Sequence, residues 1–195
     1  MSTDAVVREI TRRAWRFGVS VLLSPDSTVD CDGFWSQGWF DGDDKKLVVG
    51  TGCDEQKWLG VLLHEYSHLT QWVERAPVWR EDEKDGAVID DWLKGKSVRN
   101  ARKAVAARRE LEADCERRTV RLIRELEAPI DLDRYIRGAN SYIHFYNVIA
   151  EKRKWYAPGR GPYSVPEVLA VANPTLDDDF SKTPAALRAA LLTCI

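Results

Sequence analysis

"VLLHEYSHLTQW", residues 61–72, sets two histidines four apart, with a glutamate directly after the first. On an α-helix that spacing brings side chains about one turn above each other, so His64 and His68 project from one face. Two imidazoles so placed can chelate one Zn²⁺, and Glu65, offset from them, can reach a water beside the ion as a general base. The plainer reading is an amphipathic helix with two polar residues on one face. The flanks indicate a helix of the buried kind. Leu59, Leu62, Leu63, Tyr66, Leu69 and Val73 form a broad apolar stripe over 54–74, Asp54 is placed to cap its start, and Pro77 should stop it. The chain has only three histidines, so two of them at this spacing favour the metal.

Outward from this helix, the sequence reads as α+β. Residues 4–17 carry Val6, Val7, Ile10, Ala14 and Phe17 at helical spacing. "VSVLLSP" (19–25) reads as a buried strand ended by Pro25. "FWSQGWF" (34–40) and "KKLVVGTG" (45–52) flank an Asp-Gly turn signal and predict a hairpin. Residues 75–98 are charged and interrupted by Pro77, Gly86 and Gly95, which predicts a surface excursion with one short helix at most. Helices are expected over 99–126 and 132–155. The segment 157–184 is rich in Pro and Gly and should be largely extended, with a short helix closing the chain at 184–192.

Composition bounds the function without naming it. At 195 residues, 44% hydrophobic and 31% charged, the chain suits one domain with a real core. A net charge of −2 offers no basic field for nucleic acid. No apolar run is long enough to cross a membrane and the first residues lack a secretory signal, so a cytoplasmic location is expected. Cys31, Cys53, Cys115 and Cys194 are scattered, which suits reduced thiols.

A catalytic zinc needs a third protein ligand if one position is to stay open for water. Glu74, six residues beyond His68, would serve only if the chain turned at position 71, which is Gln71 and not glycine. The better stretch is "ELEADCERR" (110–118). Glu110 can bind the ion while Asp114, four residues on, accepts a hydrogen bond from the distal nitrogen of a zinc-bound histidine and orients the ring. Glu112 is the third candidate, but it points about 160° from Glu110 on a helix.

"HEYSH" followed by "ELEAD" resembles the zincin metallopeptidases of the gluzincin type, where the third ligand is the glutamate of an E-x-x-x-D pattern on a second helix. Glu110 and Asp114 match that pattern. The resemblance covers roughly residues 45–126. It implies a small twisted mixed sheet packed on the active-site helix, a mostly helical C-terminal half, and one Zn²⁺ held by His64, His68 and Glu110. It implies hydrolysis of a protein or peptide substrate with Glu65 as base, and an edge strand that holds the substrate backbone. Either "KKLVVGTG" or "FWSQGWF" is placed to supply that edge. The family often draws an oxyanion donor from a tyrosine or histidine after the ligand helix, which brings His144 and Tyr146 forward. A rival is the same fold used as a binding or assembly module, in a phage particle or a toxin–antitoxin pair. The intact Glu65 speaks against it, since a scaffold has no use for a base. A protease acting on DNA-bound proteins finds no support in the charge balance.

Overall fold

The computed structural model describes residues 1–31 and 33–195, leaving aside the side chains of residues 34 and 84–87. The chain divides into two compact units, Met1–Ala76 with Cys115–Leu132, and Pro77–Asp114 with Asp133–Ile195.

The first unit begins with α1 (Thr3–Trp15), capped by Ser2, whose side chain accepts from the Ala5 N–H. Val6, Ile10 and Ala14 are its buried stripe. Then come β1 (Ser20–Ser24), β2 (Val29–Cys31), β3 (Phe34–Ser36), β4 (Gly38–Asp41) and β5 (Lys46–Gly50). β1, β5 and β4 form a mixed sheet in that order, β1 parallel and β4 antiparallel to β5. The expected hairpin is therefore present, but only Gly38–Asp41 of its first run belongs to it. Residues 34–36 pair with β2 instead, and the chain bends at Gln37 between the two pairings.

Helix α2 (Glu55–Glu74) packs on β4 and β5. Asp54 caps it as expected, accepting from the Lys57 N–H. The helix ends at Glu74 as expected, but not through Pro77. Arg75 turns into the left-handed region with φ 48°, and its N–H and that of Ala76 bond back to the Gln71 carbonyl. A left-handed residue closing the last carbonyls is a common helix stop. Pro77 stops nothing and instead opens the next helix, where a missing N–H costs little.

That helix, α3 (Pro77–Leu93), replaces the expected excursion. It belongs to the second unit, where Ile89 is buried and Trp92 and Leu93 pack against the core. α4 (Ala101–Glu125) begins in this unit and ends in the first. α5 (Leu132–Lys152) carries Phe145, Val148 and Ile149 into the second unit's core. The Pro-rich segment after it is mostly irregular but holds α6 (Pro166–Val171), and α7 (Ala185–Leu191) follows.

No described helix is long and apolar enough to cross a membrane. The architecture is mixed α+β with a small sheet, as expected.

Candidate metal centre

Helix α2 does with the two histidines what their spacing predicts. His64 Nε2 and His68 Nε2 lie 3.1 Å apart, with ring planes at 88°. Both rings are partly buried, and Leu62, Leu63 and Leu69 of the same helix are fully buried.

The distal nitrogens are held from outside. His64 Nδ1 lies 3.0 Å from Glu116 Oε1, and His68 Nδ1 lies 2.8 Å from Gln71 Oε1. An ionised carboxylate only accepts, as does an amide oxygen, so a neutral ring in either place donates its Nδ1–H and keeps Nε2 as a lone pair. With both rings neutral, two lone pairs face each other at 3.1 Å. They repel unless a cation or a proton lies between them. Tetrahedral zinc at ordinary Zn–N distances separates two imidazole nitrogens by about 3.3 Å. The spacing and the ligand type fit a metal ion.

Cys115 sits at the same place. Its Sγ is 3.6 Å from His64 Nδ1 and donates to the His64 carbonyl oxygen at 3.3 Å. Among the described residues His64, His68 and Cys115 form a group able to hold a metal ion, their ligand atoms all within 4.8 Å of one another. Burial would lower the basicity of His64. Cys115 and Glu116 beside it outweigh that and raise it well above the usual imidazole value.

The other anticipated residues fall as follows. Glu65 is half-buried and faces the sheet. A Cβ added at Gly38 of β4 would stand 3.3 Å from Glu65 Cγ and 2.6 Å from Val61 Cγ1, so the outer strand of the mixed sheet runs beside the expected base. Glu74 is exposed and paired with Arg118 at 2.7 Å. Glu110 and Asp114 belong to the second unit. There Glu110 is about half-exposed, its Oε1 accepting two hydrogen bonds from Arg109. The acceptors seen at the distal nitrogens are Glu116 at His64 and Gln71 at His68. Glu112, one turn before Glu116 on α4, is buried.

His144 and Tyr146 are core residues of the second unit. His144 is 1% exposed, lies against Phe180, and has Asp177 Oδ2 at 3.0 Å from its Nε2. The Tyr146 hydroxyl is 2.9 Å from that of Tyr142. Burial, then the charge of Glu112, pushes the Tyr146 phenol far above its usual value.

Sequence reasoning missed Glu116 and Gln71. Glu116 was within reach of it, since Glu112 and Glu116 repeat the four-residue spacing of Glu110 and Asp114. Gln71 carried no such signal.

The chain matches no protein-family model, no curated protein and no solved structure. Fold and site together define a mixed α+β protein whose central helix carries a histidine pair suited to a metal ion.

Proposed function

We propose that the protein is a zinc-dependent peptidase of the zincin kind, with His64 and His68 as ligands and Glu65 as general base. The observation that carries this reading is the pair of imidazoles 3.1 Å apart through Nε2, each with its Nδ1 against an acceptor. Acceptors at both outer nitrogens orient the rings as the partners of a metal-ligating pair do.

We assign the third ligand to Cys115, whose Sγ joins the two histidines in a group of ligand atoms within 4.8 Å of one another. Glu110, the ligand that the resemblance implies, is half-exposed with Arg109 on its carboxylate.

When bound, zinc would act as a Lewis acid toward a substrate carbonyl and a nearby water. The chain's own residues do the rest. Glu65 accepts the proton of the attacking water at its carboxylate and returns it to the leaving amine. Glu116 and Gln71 hold the histidine rings. β4 ends the mixed sheet beside Glu65, so an extended peptide added along it would lie next to the base.

The test is metal content and cleavage together. Purified protein should carry about one zinc per chain and cut an unfolded protein substrate, with activity lost to a chelator. Cys115→Ala should lose zinc and Glu110→Ala should keep it. Zinc lost in Glu110→Ala and kept in Cys115→Ala would give the third position to Glu110. A stable zinc site with no cleavage of any unfolded substrate would favour the binding-module reading.

A further inference from the structure

Gln71 is completely buried in the last turn of α2. Its backbone carbonyl takes the N–H groups of Arg75 and Ala76 that close the helix. Its side chain runs back up the helix, three residues, to His68 Nδ1 at 2.8 Å. Burying a primary amide is costly unless it is hydrogen-bonded, and an apolar residue would fill the same space more cheaply.

We propose that Gln71 is a positioning residue for the metal centre. By accepting the Nδ1–H of His68, its amide oxygen fixes the tautomer that turns the Nε2 lone pair toward His64. A neutral imidazole carries its proton on one nitrogen or the other. With the proton on Nε2, His68 would donate to His64 Nε2 at 3.1 Å and offer no lone pair to a metal. With the proton on Nδ1, it is a ligand. The acceptor at Nδ1 decides between the two.

The two histidines are held differently. His64 leans on the carboxylate of Glu116, and His68 on a neutral amide. A carboxylate partner makes an imidazole a stronger donor than an amide partner does. His68 is thereby the weaker of the two ligands, by virtue of Gln71. This inference rests on the metal reading of the histidine pair and not on the peptidase reading.

The experiment is long-range ¹H–¹⁵N NMR of the imidazoles in the metal-free full chain, at a pH raised until the ¹⁵N shifts report both rings neutral, since Cys115 and Glu116 make His64 more basic than an ordinary imidazole, followed by zinc affinity from chelator competition. In the unaltered chain His68 should be the Nδ1–H tautomer. Gln71→Leu should shift it toward Nε2–H and weaken zinc binding about 10- to 100-fold. Gln71→Glu, which keeps an acceptor oxygen at the same reach, should hold the tautomer and bind zinc at least as tightly as the unaltered chain. A purely structural glutamine would lower the unfolding midpoint in Gln71→Leu and leave the tautomer unchanged. An Nε2–H tautomer in the unaltered chain, or the same tautomer and affinity in all three proteins, would overturn the assignment. Should Gln71→Leu not fold, the unaltered chain and Gln71→Glu still decide it. If no form binds zinc, the metal reading fails, while the tautomer still reports whether Gln71 holds His68.

Discussion

Replacing Glu65 by glutamine keeps the size of the side chain and removes its basicity. Glu65→Gln should therefore retain the metal and lose at least about 10²-fold in turnover, measured by metal analysis beside cleavage of an unfolded protein. Unchanged turnover would remove Glu65 from the chemistry. Gly38 is bound to the same residue from the sheet side. The methyl group of Gly38→Ala would meet Val61 Cγ1 at 2.6 Å and the Val48 carbonyl oxygen at 3.0 Å, and such overpacking costs about 1–3 kcal/mol. A denaturant midpoint equal to that of the unaltered chain would show that strand and helix separate there without cost. His144 makes the second unit sensitive to acid. Burial holds its basicity below the usual imidazole value, despite Asp177 at Nε2, and its Nδ1 finds no hydrogen-bond partner among the described residues. Arg109 adds to the depression and Asp179 opposes it. The unfolded chain takes up a proton near pH 6.5 while the folded chain resists it, so stability should fall as pH drops through about 6.5. His144→Gln should lose less stability than the unaltered chain between neutral and mildly acidic pH. Equal losses in unfolding free energy would contradict this.

At the scale of the element, α2 is the part of the fold most legible in the sequence, because its determinants are local. The apolar stripe, the Asp54 cap and the histidine spacing all lie within one stretch, and all three are found in place. Its end at residue 74 was legible too, but not what makes it: Pro77 was the visible stop signal, whereas the chain turns at a left-handed Arg75, a conformation that no side chain there announces. A non-glycine residue in that region bears about 1 kcal/mol or more of strain, partly offset by the greater freedom of glycine in the unfolded chain. Arg75→Gly should thus raise stability by a few tenths to about 1 kcal/mol, read as a higher unfolding midpoint; a lower one would show that Arg75 makes contacts worth more than its strain. In α4 the difficulty was phase. Glu110, Glu112, Asp114 and Glu116 place acids on more than one face of the helix, and a shift of two residues turns a side chain by about 200°. Which face turns inward is settled by packing, and packing selects Glu112 and Glu116 for burial. The run 34–40 failed for a related reason. Its aromatic content predicts one strand, but the bend at Gln37 divides it between two pairings, and strand pairing is a long-range choice.

At the scale of the whole molecule, the chain organises two compact units, and the histidine pair belongs to the first. An ion that binds only the folded state adds stability by mass action, about 2.7 kcal/mol when its free concentration is a hundred times its Kd. A chelator should accordingly lower the thermal midpoint of the unaltered chain and leave that of a His64→Ala, His68→Ala double variant in place. The most direct measurement of the central claim is the zinc content of the purified chain beside that double variant and Glu65→Gln. About one zinc per chain is predicted for the unaltered protein and for Glu65→Gln, and none for the double variant. Stoichiometric zinc that survives the loss of both histidines, or an unaltered chain that takes up no zinc when it is supplied, would contradict it.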